Sequence, residues 1–462
     1  MSYLMYDTQM AGMHNTTQEL ARFVVRGREG AIAPEVLAAT RLFFANSIAT
    51  SISGSRHQVV DNVIAVVLRA GQAGPFRLAR RPESLNLVGA VMATGTAAAV
   101  DDFDDTHLST YVHAGPGLSA AGLLLAMCIP SSDRELLTAV SLGYETQLRV
   151  AVAVAPEIYG VGWHTTGVFG PIGAAALAGS LFGFDESQMY KALALASEWT
   201  IGHLEGLGTM NKSFHAGKAA ANGVQAALAT MTGALVGSVV NDPIERLLEA
   251  LNVAEQMRTV DTRSGSTWEL LDNRIKPYPC GIVAHAAVEA ALRIRVTTAI
   301  RPEEIERISV VCSRRAAELT GRFMPVSELD TRLSIAHGVA AAIVRGAAGV
   351  EEFSLASIDD PMITHLRERV SLVVDEGRAE ESARIVITTT RGEVITEEIE
   401  AVSGSAAHPM GESAVMSKIQ NLLEPLIGDR THELMERMVR FDGQDAASFA
   451  RLVIDDGREG VS

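Results

Sequence analysis

Cysteine is nearly absent, with only Cys128, Cys280 and Cys312 in 462 residues. They are odd in number and far apart, so the usual patterns give no disulfide framework, zinc knuckle or iron–sulfur spacing in one chain. A reducing, cytoplasmic setting fits that usage. Aromatics are scarce at 5%, while glycine reaches 40 residues. That mix points to helices packed closely through Ala and Gly rather than a sandwich built on Tyr, Trp and Val. Positive charge is also short: Lys plus Arg is 39 against 55 for Asp plus Glu, a net charge of −16. Such a chain repels phosphate backbones, which argues against a general nucleic-acid binder. Net charge does not describe one pocket, so a local site for a small anion stays open.

Charged residues of both signs make up only 20% of the chain and hydrophobic residues 47%. Disorder is thereby excluded for most of its length, and the length exceeds one ordinary domain core. The first 23 residues show neither the basic nor the apolar region of a secretory signal. Three stretches, 106–132, 158–184 and 219–241, carry no Asp, Glu, Lys or Arg. All are broken by Gly, Ser, Thr or Asn. They read as buried helices entered through glycine-rich loops, not as membrane spans of ~20 apolar residues.

Order is expected to begin near Thr16, where Thr16 and Glu19 have capping-box spacing and Leu20, Phe23 and Val24 repeat at helical intervals. From there to about residue 270 the chain reads as helix, for example over 34–53, 85–100, 134–154, 186–199 and 216–233. Turn signals punctuate these segments, and Asp133 and Asp185 read as N-caps or first-turn acids. The character then changes. Segments 307–312, 370–374, 383–390 and 393–399 are strand-like, with a hairpin at Arg391-Gly392, and helices at 281–293 and 332–345 lie among them. Helical patterns return at 413–426 and 431–441, and the tail 455–462 reads as frayed. The expected architecture is mainly α: a helical domain at 16–270, a smaller α+β lid domain at 271–405, and C-terminal helices at 406–450 that rejoin the first.

The densest polar cluster is Asp101-Asp102-Phe103-Asp104-Asp105-Thr106-His107. Four carboxylates in five positions repel one another, so a purpose is expected. Asp101, Asp102 and Asp105 match the spacing of the magnesium motif of prenyl-transfer enzymes. A second Asp-rich segment and an aromatic-lined hydrocarbon pocket, which those enzymes need, are not visible. An EF-hand loop fails for want of its Gly and spaced ligands. The bland alternative is an acidic helix end capped by Thr106.

Gly162-Trp163-His164-Thr165-Thr166 sets a histidine beside a large aromatic. The segment from Met210 to Lys218 fails as a phosphate loop, because Lys212 stands where the first glycine belongs and no Ser or Thr follows Lys218. What remains is Lys212 and His215 three apart near a helix start, sharing a face if helical. Lys212 lies among Met, Phe, Ala and Gly, a setting that can lower a lysine pKa for proton transfer, against the alternative of snorkelling to water. His285 and Glu289, at i and i+4, can let a carboxylate orient an imidazole or can form a solvated helix face.

Taken in order, the run from Ala99 to His107, then His113-Ala114-Gly115, Gly162 to Thr166, Lys212 to Gly217 and Lys276 to His285 resembles the MmgE/PrpD family of 2-methylcitrate dehydratase, cis-aconitate decarboxylase and iminodisuccinate epimerase. The likeness spans roughly residues 16–445. It implies a large helical domain with an α+β lid, a homodimer, no metal or organic cofactor, and an active site in the cleft between the domains. By position it implies Asp102, His113, His164, Lys212 and His285 as catalytic residues, with Thr106 and His337 as substrate contacts. Two departures stand out. Ala114 follows His113 where the family often has Pro, and His337 lies in the region where the decarboxylases carry a tyrosine.

Such residues suit proton transfer next to a carboxylate, because charge building on the carboxylate oxygens is stabilised most by donors already aimed at them. Lys212 and a protonated histidine would bind the substrate, a neutral histidine would act as base, and Asp102 would hold a histidine in its working tautomer. The expected protein is a cofactor-independent lyase, a dehydratase or decarboxylase, acting on a small di- or tricarboxylate, with no nucleic-acid or membrane partner. An epimerase inverting a carbon alpha to a carboxylate and a non-catalytic carboxylate binder are the alternatives.

Overall fold

The computed structural model describes residues 15–155, 157–206, 208–233, 242–251, 258–263, 267–441 and 444–454. The readings made for the first 14 residues, for 234–241 and for the tail 455–462 lie outside them. Helices start where a side-chain oxygen takes up free amides. Asn15 accepts from Gln18 N at the head of Thr16–Glu29, so Thr16 is the first helical residue rather than the cap. Ser132 and Glu135 form a reciprocal capping box before Asp133–Val152, leaving Asp133 as a first-turn acid bound by Arg437 at 2.9 Å. Asp185 and Gln188 cap Glu186–Glu198 in the same way.

Close backbone approach, made possible by glycine, sets the centre of the helical body. A Cβ on Gly217 would stand 2.0 Å from Met92 O, and one on Gly95 would stand 2.8 Å from Gly217 Cα. Helices Leu87–Val100 and Asn211–Met231 therefore meet backbone to backbone. Gly117 also brings Ala114–Ala126 close, with Ala216 O 3.0 Å from its would-be Cβ. These contacts gather three helix ends: the C-terminus that leads into Asp102, and the N-termini that carry His113 and Lys212. Among the described residues one helix, Pro34–Gly54, is long and apolar enough to cross a membrane, and it packs here against Leu87–Val100, Ala114–Ala126 and Glu412–Ile427.

Two short antiparallel ribbons interrupt the helical half. Ala73–Arg77 pairs with Ser84–Leu85, and Asp105–His107 pairs with Asn273–Ile275. The second ties the acidic loop to the chain entering the smaller domain. Three residues offer too few alternations for a strand period to be read.

The smaller domain is a four-stranded sheet in the order Val370–Val374, Ile305–Cys312, Ala383–Thr389, Val394–Ile399, the first pair parallel and the others antiparallel. The hairpin turn falls at Gly392, whose φ of +79° is left-handed. Helices His285–Thr297 and Ile335–Arg345 share the core of this sheet. The second is shorter than its pattern suggested, because Ser334 accepts from His337 N and restarts the chain after a separate turn, Glu328–Arg332. Helices Glu412–Ile427, Arg430–Val439 and Ala446–Ile454 return to the first core through Val415, Ile419, Leu423, Leu434, Met438 and Phe449. The protein is mainly α with a smaller α+β domain.

Candidate active site

The four aspartates after Val100 find partners outside the run, and Asp102 and Asp104 share one of them, Lys276. Asp101 takes Arg332 at 2.9 Å and Ser53 at 2.7 Å. Asp102 takes Lys212 and, at 2.8 Å, Lys276. Asp104 takes His113 at 3.1 Å and Lys276 at 3.2 Å. Asp105 accepts from Tyr144 at 3.0 Å and from Asn273. Asp102 adopts a φ of +50°, uncommon for a side-chain-bearing residue. Such strain persists where the surroundings over-determine it, and here two lysines fix the carboxylate.

Burial alone would raise the Asp102 carboxyl, but Lys212, Lys276 and His113 together hold it well below the usual range. For Asp104, Lys276 and His113 likewise outweigh burial. Lys276 is 1% exposed. Burial would lower its pKa, yet Asp102 and Asp104 hold it above the ordinary lysine range. Behind this triad, Lys418 donates to Phe103 O at 2.7 Å and Lys276 O at 2.9 Å, with its ammonium 3.6 Å from the Phe103 ring centre. One side chain of the returning C-terminal helix thus pins the segments just before Asp105–His107 and just after Asn273–Ile275.

His113 stands just before Ala114–Ala126, and its Nδ1 lies 3.1 Å from Thr106 Oγ1 and 3.2 Å from Asp105 O. Its amide donates to Thr166 Oγ1 at 2.9 Å. The carboxylate that orients a histidine is therefore Asp104; Asp102 serves the lysines instead. His164 meets His215 through their Nδ1 atoms at 3.1 Å, and its buried Nε2 has no hydrogen-bond partner. Burial, then the neighbouring His113, His215 and Lys212, push His164 well below the usual imidazole value, so it is neutral at pH 7. Its ring centre is 6.4 Å from that of His113.

A cavity of about 440 Å³ opens on this cluster, lined by Asp102, Thr106, Tyr111, His113, Tyr159, Lys212 and Lys276 from one side. The smaller domain supplies Arg315, Glu318, Arg322 and Leu333. Four cationic side chains, Lys212, Lys276, Arg315 and Arg322, thus face two carboxylates, Asp102 and Glu318. The local balance is the reverse of the chain's. Of the residues expected from the sequence, Asp102, Thr106, His113 and Lys212 line this cavity, and His164 stands directly behind His113.

The structure does not bring His285 and His337 to this cavity. His285 lines a neighbouring cavity of about 330 Å³, and its Nε2 donates to Cys280 O at 3.1 Å. Burial, then Lys276, lowers its pKa to about 3. Glu289 does not orient it, being engaged by Arg293 at 2.7 Å and Ser403 N at 2.8 Å. His337 is inside the smaller domain, bonded to Glu352 O at 2.9 Å and Ser357 Oγ at 3.1 Å, with Arg367 at 3.3 Å. Its helix buries it in the core shared with the sheet, and that burial lowers its pKa to about 4. The sequence pointed to Asp104 only as part of the acidic run and to His215 only as a neighbour of Lys212 on one helix face; it did not mark Lys276 as a site residue, although Lys276 lies in a quoted segment, and it gave no sign of Arg315 or Lys418. Among the described residues no group of three or more His, Cys, Asp or Glu side chains converges as for a metal ion.

Four buried histidines give a pH prediction. Burial lowers His107 to about 4, His337 to about 4 and His285 to about 3, and holds His164 well below its usual value. Below ~6.5, the unfolded value, the unfolded chain binds protons that the native one does not, so stability falls with pH. Urea unfolding is expected to show a loss between pH 7 and about 5.5, at most ~1.4 kcal/mol per pH unit per histidine. A flat profile over that window would contradict the buried neutral state.

Two family models cover most of the chain. The MmgE/PrpD N-terminal domain matches residues 18–258 and the MmgE/PrpD C-terminal domain matches residues 278–440. Human cis-aconitate decarboxylase is 25% identical over 368 residues, 76% of each chain. The mouse protein of that name is 26% identical over 384 residues, 79% of this chain and 78% of its own. The cis-aconitate decarboxylase of Aspergillus terreus strain NIH 2624 / FGSC A1156 is 23% identical over 443 residues, 89% of this chain and 90% of its own.

Proposed function

The chain belongs to the MmgE/PrpD family, and we propose that it is a cofactor-independent lyase that decarboxylates a small di- or tricarboxylate. One observation carries the reading: Lys212 and an Asp104-oriented His113 share a cavity in which cations outnumber carboxylates. The relatives, all named for decarboxylation of a tricarboxylate, support the same choice.

In such a reaction the carbon–carbon bond to one carboxylate breaks and carbon dioxide leaves. The electron pair stays on the adjacent carbon, spreads into a retained unsaturated carboxylate, and is quenched by a proton. Lys212 stands where it meets the oxygens on which charge builds, a position worth most when preorganised. His113, steadied by Asp104 and Thr106, is the proton donor to carbon, and solvent restores the proton. His164, neutral and with a free Nε2, relays or accepts a proton beside it.

A screen of small carboxylates for carbon dioxide release tests this. Turnover is expected with a di- or tricarboxylate, and EDTA should leave it unchanged, since a Lys/His proton-transfer site needs no Lewis acid. Activity that EDTA abolishes and magnesium restores would turn the aspartate cluster back into a metal site.

A further inference from the structure

We infer that Arg315 is a second substrate-binding cation, taking a distal carboxylate from the smaller-domain wall so that the site selects acids with at least two carboxylates. The inference rests on the reading of this cavity as a carboxylate site and names a residue that neither the motifs nor the comparisons point to.

Arg315 belongs to Arg314–Thr320, a short helix capped by Ser313 at the end of strand Ile305–Cys312. The cations around it are already engaged. Arg314 pairs with Glu376, and Arg322, also on the cavity wall, pairs with Asp330. Lys212 and Lys276 share Asp102 on the opposite wall. Arg315 differs. Among the described residues no carboxylate lies within ion-pair distance of it, and its buried Nε has no hydrogen-bond partner. Glu318, on the same helix, lines the cavity without pairing with it.

An aromatic face holds this guanidinium in place. Arg315 Cζ lies 5.6 Å from the centre of the Tyr111 ring. Tyr111 itself is fixed from three sides. Its φ of +53° is left-handed, its hydroxyl donates to Glu380 Oε2 at 3.2 Å, and its ring meets that of Tyr159 at 5.1 Å, nearly edge-on. A bulky residue in that conformation is an outlier, and such strain gathers at ligand clamps. A guanidinium stacked on a ring keeps its N–H fork available, and that fork matches a carboxylate with two parallel bonds. A carboxylate in the cavity would take the terminal N–H groups of the guanidinium, for which no carboxylate partner stands among the described residues. Cationic groups from both domains therefore face one cavity, a fit for a substrate with acid groups at both ends.

Calorimetry on the whole protein with tricarballylate and butyrate, a tricarboxylate and a monocarboxylate of similar chain, tests the assignment. Wild type should bind tricarballylate more tightly than butyrate. Arg315→Gln should weaken tricarballylate roughly 10- to 100-fold, the range for a charge-assisted hydrogen-bonded contact, and leave butyrate within about twofold. Arg315→Lys keeps the charge without the fork and should fall between. If the Gln variant does not fold, the Lys variant carries the same comparison. Equal weakening of both acids, or no change for either, overturns the role of Arg315 alone. Wild type that binds neither acid overturns the carboxylate reading of the cavity as well.

Discussion

Lys212→Met is expected to lower kcat at least ~10²-fold, the lower range for a positioned acid–base or charge-bearing group, while the protein still folds. Lys212 is in the first turn of Asn211–Met231 with its side chain 18% exposed, at the wall of the cavity. Methionine keeps most of the volume, so no cavity opens. Asp102 loses one partner but keeps Lys276 at 2.8 Å, so no buried carboxylate is left alone. The change removes a cation from the place where carboxylate charge would build and little else. Steady-state carbon dioxide release paired with a melting curve checks both halves. Near-normal turnover would remove Lys212 from the mechanism.

The neighbouring lysine should behave in the opposite sense. Lys276→Met is expected to cost about 3–5 kcal/mol of folding stability, the usual penalty for breaking a buried ion pair from one side. Lys276 bridges Asp102 at 2.8 Å and Asp104 at 3.2 Å and also donates to Asp102 O at 3.2 Å. Without it two buried carboxylates repel each other, with only Lys212 and His113 to answer them. The pH dependence has a definite sign. The Asp102 and Asp104 pKa values are depressed, so the stability they add is present above ~3.9 and fades as pH falls through their folded values. The Lys276 pKa is raised, so its contribution holds below ~10.4 and fades only as pH rises through its folded value. The penalty of Lys276→Met should therefore be constant from about pH 5 to 9 and shrink below ~4, where the orphaned carboxylates protonate. Urea unfolding at those pH values measures it. A loss under about 1 kcal/mol would be that of a surface pair and would contradict the buried triad.

These two lysines also show how far the sequence could be read. Lys212 and His215 were legible because their spacing within one helix implies a shared face. Lys276 was not, because its partner Asp102 lies 174 residues away and no local period encodes such a contact. Lys418 and Arg315 reach the site from still other elements, and the same holds for them. The acidic run read as the spacing of a metal motif or as an acidic helix end because its counter-charges, Arg332, Lys212, Lys276 and His113, come from elsewhere in the chain. Several helices were readable in charge-poor Ala- and Gly-rich stretches, while their ends moved, for example where Asn15, Asn86 or Ser334 supplied the cap and where Asn211–Met231 begins five residues before the expected start. His285 and His337 matched by position, yet each is buried where backbone carbonyls occupy its ring nitrogen. Position along a motif does not say which way a side chain faces.

On the proposed mechanism the cavity breaks the carbon–carbon bond to a departing carboxylate and delivers a proton to the carbon left behind. Proton NMR of a small tricarboxylate, cis-aconitate first, incubated with the protein in deuterated water reads that event directly. Loss of carbon dioxide is expected, with a product carrying one deuteron on the carbon that held the departing carboxylate or on its allylic partner. Deuterium entering alpha to a carboxylate while the carbon skeleton stays whole would contradict it and make the protein an isomerase.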